Sequence, residues 1–100
     1  MKAPILWTFV WVVGLAGSAL AQPADFIRRD CGSCHAVDAD PAAKSPDPKA
    51  PRFVDVAKMP STTELSLKVF LRSSHKNMPN IMLEPAEIDE TAAYILGLKK

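Results

Sequence analysis

Apolar and polar positions recur with a helical period in three parts of the chain, which follow a long apolar start. The first helix is expected over residues 24–30, where Phe26 and Ile27 form the buried face and Asp25 lies near the positive end of the helix dipole. This segment runs directly into a motif of two cysteines and a histidine. No alternating run typical of β-strands flanks that motif, so the pattern favours an all-α fold.

Two further helices are expected in the second half of the chain. Residues 61–64, Ser-Thr-Thr-Glu, have the form of a capping box, and apolar positions continue at helical spacing to about residue 73. A third helix is predicted over about residues 84–98, with Pro85 at its first position. The apolar positions are Leu65, Leu67, Val69, Phe70 and Leu71 in the second helix and Ile88, Ala92, Ile95 and Leu96 in the third.

Prolines are concentrated between the motif and the second helix. Five of the nine prolines lie within residues 38–60, among Asp, Lys and Ala residues. Proline lacks a backbone N–H and cannot take part fully in a helix or a strand ladder. We therefore expect this whole segment to be an irregular loop. The five residues are Pro41, Pro46, Pro48, Pro51 and Pro60.

The segment Cys31-Gly32-Ser33-Cys34-His35 has the form C-x-x-C-H. In this form two thiols can make thioether links to the vinyl groups of a haem, and the adjoining imidazole can ligate the iron. The gap of two residues lets one helical turn carry both sulfurs, with the histidine directly after them. The motif therefore predicts one haem c, bound covalently through Cys31 and Cys34 and ligated by His35.

Three other uses of these residues remain open. A thioredoxin-like dithiol would need a neighbouring βαβ pattern, which the sequence lacks. The cysteines and histidines of the chain are enough in number for a tetrahedral zinc site, although the adjacent residues Cys34 and His35 fit poorly as ligands of one ion. A plain disulfide would close a very short loop and constrain the unfolded chain little. The residues of the zinc alternative are Cys31, Cys34, His35 and His75.

The amino-terminal segment has the composition of a signal peptide. Lys2 supplies a positive start, residues 5–21 are almost uninterruptedly apolar, and Ala19-Leu20-Ala21 matches a signal-peptidase site. We expect residues 1–21 to be removed after Ala21 and residues 22–100 to form one domain. An uncleaved membrane anchor is the alternative, because a mostly apolar segment of 17 residues, 5–21, reaches the lower limit for a membrane span. The expected location is the bacterial periplasm, where haem attachment proceeds outside the reducing cytosol.

Cleavage at this point would leave a small core and a balanced charge. The full chain has 12 Lys and Arg against 11 Asp and Glu, and loss of Lys2 makes the two counts equal. A balanced chain is not a nucleic-acid binder by charge. A domain of this size usually needs a disulfide, a metal or a cofactor for stability, and the haem is the best candidate. The remaining aromatic residues are Phe26, Phe53, Phe70 and Tyr94.

The order of these elements resembles the class I cytochromes c over residues 24–98. The resemblance implies the cytochrome c fold, with three main helices and irregular loops around one covalent haem. It is carried by four short segments: Cys31-Gly32-Ser33-Cys34-His35, Ala50-Pro51-Arg52-Phe53, Asn77-Met78-Pro79 and Ala93-Tyr94-Ile95.

The same resemblance implies two further site residues. Met78 would be the second axial ligand, and the carbonyl of Pro51 would accept a hydrogen bond from the other ring nitrogen of His35. A thioether opposite an imidazole favours ferrous iron and raises the reduction potential, which suits an electron carrier. The alternatives that remain are Met82, Met59 or His75 as the ligand, and Pro48 as the acceptor.

The function expected from this resemblance is transfer of single electrons in the periplasm by a monomeric carrier that is not an enzyme. Its partners would be redox proteins that dock transiently: a dehydrogenase or quinol-oxidising complex as donor and a terminal oxidase as acceptor. Two other classes stay open. One is a haem enzyme or sensor with an exchangeable sixth ligand, and the other is a membrane-tethered subunit of a larger oxidoreductase.

Overall fold

The computed structural model describes residues 3–5, 8–11, 22–73 and 77–99. Within these ranges the chain forms four α-helices and no β-strand, which confirms the all-α class. Each of the three helices expected from the sequence is present. The four elements are α1 (Asp25–Asp30), α2 (Phe53–Lys58), α3 (Glu64–Arg72) and α4 (Pro85–Gly97).

Helix α2 corrects the expectation of an irregular loop throughout residues 38–60. The helix lies between Pro51 and Pro60, so neither ring interrupts its hydrogen bonds. Phe53, Val54 and Ala57 are all buried on one side of α2, at the spacing of a helical face. The expectation was based on the number of prolines in the whole segment, and it overlooked that residues 52–59 contain none.

The start of α3 is capped two residues later than the sequence suggested. Thr63 is the N-cap: its hydroxyl accepts a hydrogen bond from the Ser66 backbone N–H at 3.0 Å, and the Ser66 hydroxyl accepts one from the Thr63 N–H at 2.8 Å. Two hydroxyls thus make the reciprocal contacts of a capping box. The box expected between Ser61 and Glu64 was wrong, and Glu64 instead pairs with Lys68 at 2.7 Å.

The apolar stripe of α3 is buried only in part. Leu67 is buried against the core, whereas Leu65 and Val69 are exposed and Leu71 is half-buried. Helix α3 packs against α4, and one neighbouring helix covers only one side of an apolar band this wide. Lys68 adds an ionic link between these helices, because its ammonium group also lies 3.3 Å from the Asp89 carboxylate.

Helix α4 follows the sequence pattern closely. Pro85 occupies a first-turn position, and Ile88, Ala92 and Ile95 are buried as expected. A second capping box, not foreseen, closes the start of the helix: the Glu84 N–H donates to the Glu87 carboxylate at 2.9 Å. At the start of the helix, Pro85 therefore restricts the backbone, and the Glu84 N–H has a hydrogen-bond acceptor.

The core is built around α4, which packs against both α2 and α3. Ile27 is the residue of α1 that joins this core, while Phe26 is only half-buried against it. Tyr94 also packs against the cluster. Of the two residues expected to form the buried face of the first helix, Phe26 and Ile27, only Ile27 is fully buried. The buried members are Ile27, Cys31, Val37, Phe53, Ala57, Leu67, Ala92 and Ile95.

The described parts of the amino-terminal segment, residues 3–5 and 8–11, have no regular secondary structure. Ile5, Phe9 and Trp11 are all largely exposed there. Among the described residues, no helix combines the length and the apolar composition that crossing a bilayer requires. The expected cleavage site at Ala21 lies outside the described residues, and the signal peptide stays a prediction.

Candidate functional site

The cysteine motif forms a tight turn that continues directly from α1. Cys31 caps the helix and donates its N–H to the Ile27 carbonyl at 2.9 Å. Its own carbonyl accepts from the N–H of Cys34 at 3.2 Å and from that of His35 at 2.9 Å. Both cysteines and the histidine are thus carried on one turn, as the spacing of the motif predicts.

Gly32 is the residue that makes this turn possible. A Cβ atom at position 32 would collide with the backbone carbonyl oxygen of Arg28, one turn earlier. A backbone atom inside a helical turn cannot move aside as the end of a flexible side chain can. The first variable position of the C-x-x-C-H motif therefore accepts glycine alone without a shift of the backbone.

The two thiols lie in different surroundings and are not joined to each other. Cys31 is only 5% exposed, and Cys34 is half-buried. Burial, with a smaller contribution from the negative charge of Asp30, raises the pKa of the Cys31 thiol to about 11. A thiol with a raised pKa carries little thiolate near neutral pH, so Cys31 is poorly suited to be the attacking thiol of a thioredoxin-like dithiol.

The zinc alternative gains no support from the described part of the chain. No group of three or more His, Cys, Asp or Glu side chains is placed there to hold a metal ion. His75, which that alternative needs and which was also a candidate iron ligand, lies outside the described residues.

The ring of His35 is held by a hydrogen bond to the backbone. Its Nδ1 lies 2.6 Å from the carbonyl oxygen of Pro51. A carbonyl can only accept, so Nδ1 carries a proton, and in the neutral ring the lone pair is therefore on Nε2. The ring of Phe53 packs beside it, with centroids 5.3 Å apart and planes tilted by 45°. Of the two prolines considered as acceptor, Pro51 makes the contact.

A cleft beside the motif brings together residues from distant parts of the chain. About 300 Å³ of empty space lies along this cleft, and part of that space is open solvent. Cys31 and Met78 both line it, although 47 positions separate them in the sequence. The rest of the lining is mostly apolar: Phe70, Leu71, Pro79, Ile81 and Leu83, with Ser73 and Asn80.

The other candidate residues lie outside this lining. Met82 is 91% exposed and Met59 is 49% exposed, so neither methionine is turned into the cleft. Cys34 and His35 lie on the adjoining turn of the motif. The structure therefore groups Cys31 with Met78 in the cleft and His35 with Pro51 beside it.

The cleft and the adjoining turn carry residue types that can ligate a metal. The cleft has a mostly apolar lining to which Met78, a thioether residue, and Cys31, a thiol residue, both contribute. On the adjoining turn, Nδ1 of His35 is engaged by the Pro51 carbonyl, so Nε2 is the ring nitrogen that could bind a metal.

Several contacts around His35 were not expected from the sequence. The Tyr94 hydroxyl donates to the Val37 carbonyl, 57 positions away, and the Phe53 N–H donates to the Ala36 carbonyl at 2.9 Å. The Ser45 hydroxyl accepts from the Ala36 N–H at 3.0 Å. No local sequence pattern predicts these pairs, because each one joins residues that only the folding of the chain brings together.

Comparisons of this chain with models of protein families, with curated proteins and with solved structures give no significant match.

Proposed function

We propose that this protein is an exported, mono-haem electron carrier with the cytochrome c fold. Cys31 and Cys34 would hold the haem through thioether bonds, and His35 and Met78 would be its axial ligands. The bound haem supplies a reversible one-electron redox centre. The four-helix arrangement of the described residues is compatible with this fold.

The observation that carries the proposal is the hydrogen bond between His35 and Pro51. Histidines that bind metals commonly donate their other ring N–H to a backbone carbonyl, which sets the tautomer and the ring orientation. Nδ1 of His35 makes such a bond at 2.6 Å, and it does so directly after the C-x-x-C pair. A histidine that served only as a surface residue would not need this restraint.

The cleft is a second observation that supports the same proposal. Its apolar lining would keep water away from a bound porphyrin, and a buried thiol already lies within it. Met78 is placed there, while Met82 and Met59 are exposed. A methionine ligand fills the sixth position of the iron, which favours electron transfer over chemistry on an exchangeable ligand.

The chain's own residues would then fulfil three tasks in electron transfer. His35 and Met78 would ligate the iron, and Pro51 would hold the histidine ring. The apolar lining would exclude water from the redox centre and so lower its reorganisation energy. Donor and acceptor would be redox proteins that bind transiently, such as a dehydrogenase or quinol-oxidising complex and a terminal oxidase. The signal-peptide composition of residues 1–21 supports a periplasmic location.

The test is the intact mass of the protein expressed in a bacterium that attaches haem in its periplasm. We expect residues 22–100 plus one haem, and a haem spectrum that survives denaturation and acid–acetone extraction. Cys31→Ala with Cys34→Ala is the matched control and should carry none. A wild-type mass without haem would refute the proposed function, and a mass that retains residues 1–21 would refute cleavage alone.

A further inference from the structure

The segment that follows the motif makes three hydrogen bonds at and around His35. In the peptide group before His35, the Cys34 carbonyl accepts from the Asp47 N–H at 3.1 Å. In the peptide group after His35, the Ala36 N–H donates to the Ser45 hydroxyl at 3.0 Å. The ring itself donates to the Pro51 carbonyl. Both peptide groups around His35 and its ring are therefore fixed by residues 45–51.

Arg52 ties this segment down at the next position. Its Nε and Nη2 lie 2.8 and 3.0 Å from the two carboxylate oxygens of Asp55, in the paired geometry that suits a guanidinium group. Its remaining nitrogen, Nη1, donates to the carbonyl of Pro41. One side chain thus joins the start of the proline-rich segment to the first turn of α2.

We propose that Ser45 and Arg52 are positioning residues for His35, which keep the Pro51 carbonyl at hydrogen-bond distance from Nδ1. The proposal rests on the proposed function, because the ligand role of His35 gives this contact its consequence. The prolines of this segment lack a backbone N–H, so side chains add contacts to the backbone hydrogen bond that the Asp47 N–H makes to the Cys34 carbonyl. The Ser45 hydroxyl holds the segment to the Ala36 backbone, directly after the motif. The Arg52 side chain holds it to Asp55 of α2.

The contact matters because it changes the electron density that His35 gives to the iron. A ring N–H that donates to a carbonyl makes the other nitrogen more basic, and a more basic ligand stabilises ferric iron. When the segment loosens, the bond from Nδ1 weakens and the reduction potential rises. The same loosening exposes the ring N–H to solvent and speeds its exchange.

The experiment compares Ser45→Ala and Arg52→Lys with the wild-type haem protein. We expect exchange of the His35 ring N–H, followed by NMR in the reduced state, to become roughly three- to tenfold faster, the effect of one lost hydrogen bond. The reduction potential should move upward in both variants. Arg52→Lys keeps the charge and loses the planar fork, so a changed potential cannot come from net charge.

Two control variants separate positioning from general stability. Ser45→Thr keeps the hydroxyl and should restore the wild-type exchange rate and potential. Ser61→Ala removes an exposed hydroxyl that makes no hydrogen bond within the described part of the chain, and it leaves the Ser61 carbonyl to accept from Ser66 as before. It should change neither quantity. Backbone exchange in α4 should stay constant throughout, and an equal increase there would refute positioning in favour of general destabilisation.

The two proposals fail in different ways. If the wild-type protein carries no covalent haem, the proposed function is refuted before any variant is compared. If wild type and Ser45→Ala carry haem equally and share the same ring N–H exchange and potential, only the positioning proposal is refuted.

Discussion

Among the single residues, Met78 differs from the other described methionines because it lines the cleft. Cys31 lines the same cleft, whereas Met82 is almost fully exposed. We expect Met78→Ala to abolish the methionine–iron charge-transfer band of the oxidised protein, because the other two described methionines, Met59 and Met82, are exposed and do not line the cleft. Met82→Ala and Met59→Leu should keep the band in optical spectra. Loss of the band in Met82→Ala alone would assign the ligand to Met82.

Gly32 and Gly97 provide a matched pair for testing the turn of the motif. Gly32→Ala should lower the free energy of unfolding by about 1–3 kcal/mol, since the added Cβ collides with the Arg28 carbonyl oxygen. Gly97→Ala, at the last residue of α4, meets no atom within 4 Å and should be neutral or stabilise by up to about 1 kcal/mol. Denaturant unfolding of the haem protein measures both changes. Equal effects would contradict the steric account.

For the helices, the cap of α3 can be tested directly. Thr63→Ala should lower the free energy of unfolding by about 1 kcal/mol, because it leaves the Ser66 N–H without its acceptor. Ser61→Ala removes the hydroxyl that the sequence pattern favoured as the cap, and it should have no measurable effect. Urea unfolding of the two variants distinguishes the two positions. A larger loss in Ser61→Ala would contradict the observed start of the helix.

For the whole molecule, the proposed haem attachment would be linked to folding through the apolar cleft. Cys31→Ala with Cys34→Ala should leave the chain without a stable helical fold, because the surfaces of Phe70, Leu71 and Leu83 along the cleft would stay open to water. Circular dichroism should show most of the helical signal lost. Native-like helix content with a cooperative thermal transition would show instead that the polypeptide core suffices without haem.

Local features of the sequence predicted α1, α3 and α4 to within a few residues. Pro85 and the apolar period of residues 88–95 act within single helical turns, so they are readable without knowledge of the rest of the fold. The single turn of the C-x-x-C-H motif is local for the same reason. Helix α2 was missed because its short apolar face lies between two prolines and is completed by packing against α4.

The sequence by itself determined the helical class, the positions of three helices and the chemical identity of the candidate ligands. Only the tertiary structure decided that Pro51 faces His35, that Met78 rather than Met82 shares the cleft with Cys31, and that Ser45 reaches the Ala36 backbone. The reason is physical. Helix period and caps act over a few residues, whereas these contacts join distant segments whose approach depends on how the whole chain packs around α4.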